Sequence, residues 1–297
     1  MPYRKTQVAY LSTRVIVAPI ATVILGGRCD KISTEMSIQL SHDFARSLLH
    51  FGYFLERCRM SNQLPKAILF DMDDTILAYS HNTDHSWQVV CSRFASRVGD
   101  LKPEALVKAI KENAVLYWSD PEQHRTGRLN LDIARRQIVA AALRQLDVDD
   151  PSLAHDMALA YAVHREETIE PFPGALDTLH TLRERGVQLA LLTNGSAEVQ
   201  RRRVEKHQLV SLFDYILIEG EFGFGKPDER VYRHALDQLK VLPHEAWMVG
   251  DNLEWEVAIP QRLGMFAIWL DVKGAGLPES SSVHPDRIIR TLPELLD

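Results

Sequence analysis

From residue 67 to the C-terminus, short apolar runs that stop abruptly at polar residues alternate with amphipathic stretches at helical spacing. The runs are Ala67–Phe70, Val187–Leu192, Tyr215–Ile218, Ala246–Val249 and Met265–Leu270, with Asp286–Ile289 as a short sixth. Runs so short and, apart from Gln188 and the polar start of the sixth, so apolar fit strands buried on both faces. Their alternation with helical stretches restricts the chain to an α/β architecture, a parallel sheet covered by helices.

Several runs deliver reactive residues where they end, and the crevice beyond strand carboxyl ends is the usual ligand site of such sheets. The first run is followed by Asp71-Met72-Asp73-Asp74-Thr75, so two carboxylates stand two residues apart as the chain leaves its strand. The second ends in Thr193-Asn194-Gly195, a hydroxyl, an amide and a flexible glycine suited to seating a phosphate. Gly223-Phe224-Gly225-Lys226-Pro227-Asp228 sets a cation in a glycine-rich turn, with the proline pre-set for the first turn of a following helix. Ala246–Val249 leads through Gly250 to Asp251, with Glu254 and Glu256 just beyond. Each piece also has a plain structural reading. Thr193 and Asp251 could cap helices, Lys226 could sit on the surface, and acids after a strand could be a solvated turn. The order and spacing of all four together favour one site.

Between the first and second runs lies a long helical insertion. Stretches from about Asp84 to Val98, Pro103 to Trp118, Leu131 to Leu146 and Leu153 to Glu167 carry apolar residues at helical spacing, which predicts a four-helix bundle. Tyr79 to Thr83 is the expected outgoing hinge, and Glu170-Pro171-Phe172-Pro173-Gly174 the return, because its prolines disfavour continued helix. An insertion there is placed to cover the strand ends and to carry specificity. Within it, His124 to Asn130 reads as a polar break that reaches toward substrate, and Arg128 with Arg135 or Arg136 are the candidate specificity residues.

The four motifs, over about residues 65 to 290, resemble those of the haloacid dehalogenase superfamily. The resemblance implies a Rossmann-like core with helices on both faces plus a helical cap domain, in the manner of phosphoglycolate and N-acylneuraminate-9-phosphate phosphatases. On that reading residues 60–78 and 172–297 form the catalytic core and 79–171 the cap. Asp71 is then the nucleophile that forms an aspartyl-phosphate, and Asp73 the general acid and base. Thr193, Asn194 and Lys226 bind phosphate. Mg²⁺ is held by Asp71, the main-chain carbonyl of Asp73 and Asp251, with Mn²⁺ equally compatible. The second acid of the last motif is commonly Asp; here Glu256 stands in its place as a further candidate to ligate the metal or orient its bound water, followed in rank by Glu254, and Trp255 stands where many relatives carry Asn. Dehalogenating members generally lack the second aspartate of the first motif, so Asp73 argues for phosphate chemistry. The expected activity is hydrolysis of a small phosphorylated metabolite. A catalytically silent binder of a phosphorylated ligand and a sugar phosphomutase are the alternatives.

Composition sets the remaining bounds. A formal net charge of −6 disfavours a broad nucleic-acid-binding face. Three cysteines, Cys29, Cys58 and Cys91, lack metal-ligand spacing or a disulfide framework, so a cytoplasmic location is expected, with no membrane contact by the core. Residues 1–60 differ from the rest, with eight Lys and Arg against four Asp and Glu. Val15 to Leu25 is apolar but short for a bilayer, and reads as targeting-like. Residues 1–59 are expected to be an extension, whether disordered, targeting-like, an appended helix or an artefact of the chosen start, with a working chain that begins at Met60.

Overall fold

A computed structural model describes residues 64–99 and 101–297. The expectations for residues 1–59 and for a start at Met60 lie outside the described residues.

Strand β1 (Ala67–Phe70) is fully buried, and the chain leaves it for a helical insertion of α1 (Thr83–Arg93), α2 (Pro103–Ser119), α3 (Pro121–Gly127), α4 (Leu131–Gln145) and α5 (Pro151–Thr168). Helix α6 (Ala175–Glu184) then leads into β2 (Gln188–Thr193), followed by α7 (Ala197–Lys206), β3 (Tyr215–Ile218), the short α8 (Glu219–Phe222) and α9 (Glu229–Leu239). Strand β4 (Ala246–Gly250) runs through a π-helical segment, Leu253–Ala258, into α10 (Ile259–Arg262), β5 (Phe266–Leu270) and β6 (Arg287–Ile289). The six strands form one sheet in the order β3-β2-β1-β4-β5-β6, and every pairing is parallel.

Strand β1 lies inside this order, with β2 on one side and β4 on the other. Its side chains alternate between two apolar layers. Ile68 and Phe70 pack with Leu179, Leu182 and Val204 of α6 and α7, while Ala67 and Leu69 pack with Tyr232, Ala235 and Leu236 of α9. Helices therefore cover both faces, as the uninterrupted apolar runs require. The register that pairs Phe70 with Leu191 and Val249 brings the polar residues after β1, β2 and β4 to the same edge.

The insertion has an apolar core of its own, built on Leu106, Ile110, Val139, Leu143 and Met157, with Trp87 stacked on Tyr161 at 3.8 Å between ring centroids. It differs from the four-helix expectation in one respect. The segment read as a polar break overlaps the last turn of α3, which Asp120 caps by accepting the Gln123 N–H at 2.8 Å, with Pro121 in its first turn. Helical spacing of apolar residues did not reveal so short and polar an element. The two passes that join insertion and sheet lie side by side: Ala78 N–H donates to the Glu170 carbonyl and Phe172 N–H to the Ile76 carbonyl, each at 2.9 Å. No helix among the described residues is long and apolar enough to cross a membrane.

Candidate active site

Asp71, Asp73, Thr193, Asn194, Lys226, Asp251 and Glu256 line one cavity of about 330 Å³ at the carboxyl end of β1, β2 and β4. Tyr79, Ser80, His124 and Arg128 from the insertion side, and Asp74, Asn252 and Trp255 from the sheet side, complete its wall.

The plain alternatives for these residues are met by their neighbours. Ser196 caps α7, so Thr193 is not needed there. Asn252 accepts the N–H groups of Glu254 and Trp255 at 3.0 Å each, which leaves the Asp251 carboxylate without capping duty. Lys226 is 1% exposed, which rules out a surface lysine. Its Nζ lies 2.5 Å from Asp71 Oδ1 and 2.8 Å from Glu256 Oε1. Burial opposes its charge, yet Asp71 and Glu256 outweigh that and raise its pKa.

Asp71 also accepts the Thr75 hydroxyl at 3.1 Å through its other oxygen, so both oxygens are oriented. Thr193 Oγ1 accepts from Gln200 Nε2 at 2.6 Å, an arrangement that leaves the hydroxyl hydrogen available to another acceptor. The side chain of Asn194 braces the neighbouring turn. Its Nδ2 donates to the Lys226 carbonyl at 2.7 Å and its Oδ1 accepts the Lys226 N–H at 2.8 Å. This reciprocal pair pins the turn carrying the lysine. Gly225 is required there by space, since a Cβ would stand 2.4 Å from the Glu219 carboxyl carbon. Pro227 precedes the N-cap of α9, Asp228, rather than standing in the first helical turn.

Glu256, 1% exposed, turns back against Lys226 and accepts the Asn252 N–H at 2.8 Å, whereas Glu254 is exposed. Gly250 makes this fold-back possible, because a Cβ at that position would meet Glu256 Cγ at 2.1 Å. Arg128 lines the cavity, but the other two candidate arginines do not. Arg135 is buried in the insertion with its guanidinium 5.6 Å from the Tyr161 ring, and Arg136, one position on, faces solvent. Helical periodicity separates the two.

Sequence reasoning missed the residues that hold Asp73. Gln200 Nε2 donates to Asp73 Oδ2 at 2.9 Å, and Arg203 Nη1 to the same oxygen at 3.1 Å. Arg203, 2% exposed, also forms a fork with Glu166 of α5, its Nε 3.0 Å from Oε2, and lies 4.6 Å from the Tyr79 ring centroid. Tyr79 meets the buried Arg165 guanidinium at 4.8 Å on the same terms. The available signal was the placement of Gln200 and Arg203 three residues apart on α7, which puts both on one helix face. Burial raises the Asp73 pKa against the opposing pull of Arg203 and Gln200.

The donor set fits a hard divalent cation. Burial raises the Asp251 pKa, and the charges of Asp71 and then Glu256 raise it further; burial likewise raises that of Glu256, against the pull of Lys226. Such mutual repulsion among acids is relieved by a cation. Among the described residues no cluster of three or more His, Cys, Asp or Glu side chains closes on a single point, so two carboxylates would share the ion with main-chain oxygen and water. Mg²⁺ characteristically keeps several waters.

A parallel sheet with a helical insertion after its first catalytic strand, and acids, a hydroxyl and a buried lysine converging at the strand ends, define a Rossmann-like hydrolase. The haloacid dehalogenase-like hydrolase family matches residues 65–264, and the chain belongs to it. It is similar to a phosphoserine phosphatase of Thermus thermophilus, 42% identical over 46% of this chain and 55% of that one, so the match spans about half of that relative's length. A glyceraldehyde 3-phosphate phosphatase of Methanopyrus kandleri is 29% identical over 68% of this chain and 82% of its own. The magnesium-bound putative hydrolase YfnB of Bacillus subtilis shares the fold with a TM-score of 0.61 at 21% identity, covering 78% of this chain and 97% of that one.

Proposed function

We propose that the protein is a Mg²⁺-dependent phosphomonoesterase acting on a small phosphorylated metabolite through an aspartyl-phosphate. The observation that carries this reading is the fixing of Asp71 at the end of an interior strand by buried Lys226, in the cavity that also holds Asp73, Thr193 and Asp251. The phosphatases among its relatives support it.

Asp71 and Asp251, with the main-chain carbonyl of Asp73, would hold Mg²⁺, which offsets the acids and draws charge from a phosphoryl oxygen. Glu256 adjoins this set and keeps Lys226 aimed at Asp71. One Asp71 oxygen attacks phosphorus as the ester oxygen departs, and that oxygen takes its proton from Asp73. Water then attacks the phosphorus of the acyl-phosphate, gives its proton to Asp73, and frees Asp71 and inorganic phosphate. The Thr193 hydroxyl, the Asn194 main-chain N–H and Lys226 meet the oxygens on which charge is spread.

Hydrolysis of an aryl phosphate with and without Mg²⁺, by the native chain and by Asp71→Asn, tests the reading. Turnover that needs both the ion and Asp71 is expected. Turnover retained by Asp71→Asn overturns the covalent route, and none in the native chain leaves a silent ligand-binding protein. Transfer of label from a sugar phosphate to a second sugar instead of water identifies a mutase.

A further inference from the structure

Arg128 enters the cavity wall from the end of α3, and Glu219 stands at the end of β3 across the boundary between insertion and sheet. The two form a fork: Arg128 Nε lies 3.0 and 2.9 Å from the two Glu219 oxygens, and Nη2 lies 2.6 Å from Oε1. Glu219 is 5% exposed, and its Oε2 also accepts the Gly195 N–H at 3.0 Å. The pair is therefore set into the wall. Beside it, the Arg128 guanidinium lies 5.7 Å from the Trp255 ring centroid, and His124 meets the same ring edge-on at 5.7 Å.

Among the described residues, those lining the cavity leave no cation without an acidic partner. Asp71, Asp73, Asp74, Asp251 and Glu256 line it, against Lys226 and Arg128. Lys226 is held by Asp71 and Glu256, and Arg128 by Glu219. His124, the remaining lining group able to carry positive charge, is held below its usual range by burial and by Arg128. A substrate carboxylate reaching Arg128 would compete with Glu219 for the guanidinium and lie beside a buried acid whose charge opposes it. Hydroxyl and carbonyl groups face no such conflict. A guanidinium has five N–H donors, and those beyond the Glu219 fork, with the His124 ring, can serve them. A volume of about 330 Å³, shared with the phosphoryl group, suits a small leaving group.

We propose that the Arg128–Glu219 pair excludes carboxylated leaving groups, so that the substrate is a phosphomonoester of a small uncharged polyol or hydroxy-carbonyl compound. This rests on the phosphomonoesterase reading above and adds Glu219 as a specificity determinant.

The test compares kcat/KM of the full chain with Mg²⁺ on glycerol 3-phosphate and glyceraldehyde 3-phosphate against 2-phosphoglycolate and 3-phosphoglycerate, with an aryl phosphate as reference. The uncharged group is expected to be favoured by roughly tenfold or more, the scale of one charge-assisted hydrogen bond. Glu219→Gln, which keeps shape and removes the charge, should shift the ratio toward the carboxylated pair by about the same factor, mainly through their KM. Arg128→Gln should move it the opposite way, and decides the matter if Glu219→Gln does not fold. Equal use of both groups by the native chain, or a ratio unmoved in the folded variants, overturns the charge filter while aryl phosphate turnover keeps the phosphatase reading standing. Failure to hydrolyse any of the phosphates, the aryl ester included, overturns both.

Discussion

Lys226 has almost no contact with solvent and two carboxylates within 2.8 Å, so its charge both binds and braces. Lys226→Met should lower turnover of an aryl phosphate by about 10²- to 10³-fold, the usual loss for one preorganised donor. It should also destabilise the fold by about 3–5 kcal/mol, because Asp71 and Glu256 would be left buried together without a counter-charge. Steady-state kinetics and urea unfolding measure the two losses separately. The acids, the hydroxyl and the lysine were legible in the sequence because each stands where an apolar run or a glycine-rich turn ends. Glu219 was not, since nothing local distinguishes it from the acids around it; its role comes from a partner 91 positions away. For Asn194 the sequence pointed to a place at the strand ends, in the cavity wall, but not to what the side chain does there, which is to hold the Lys226 backbone.

Helices α5 and α7 meet through the Glu166–Arg203 fork, and Arg203 continues to Asp73, so one side chain ties the insertion to the proposed general acid. Glu166→Gln weakens this tie without removing a side chain. If the tie positions the acid, kcat should fall by about tenfold on an alkyl phosphate, whose alkoxide must be protonated, and much less on an aryl phosphate with a good leaving group. Equal losses on both would indicate a structural role alone. The same fork predicts a pH dependence of stability. Burial raises the Glu166 pKa, but its bonds to Arg203 and the Arg203 charge outweigh this and hold it below 4.5. Its stabilising contribution is therefore complete above pH 4.5 and is lost as the pH falls through the lowered value. The gap in urea midpoint between the native chain and Glu166→Gln should be constant near neutrality and close in acid. At this scale the strands and long helices followed from apolar periodicity, while α3 and the π-helical Leu253–Ala258 did not. Caps and local chain crowding decide such short segments, and periodicity carries no trace of either.

Among the described residues the apolar packing of the insertion forms a cluster of its own, beside those on the faces of the sheet. Ile110 is completely buried in the insertion's cluster. Ile110→Ala should cost about 2–5 kcal/mol, with amide exchange accelerating in α2, α4 and α5 more than in β1. Equal acceleration in both would mean that insertion and sheet melt as one. The change from strand-like to helical spacing in the sequence marks where the helical insertion lies, but not the neighbouring passes that join it to the sheet, which only pairing of Ala78 with Glu170 and Phe172 with Ile76 brings together. That adjacency makes the insertion a cassette. A helical unit whose two tethers sit within one hydrogen bond of each other can be exchanged for another that keeps an acid opposite Arg203, so new substrate ranges could be reached by grafting rather than by rebuilding the strand ends.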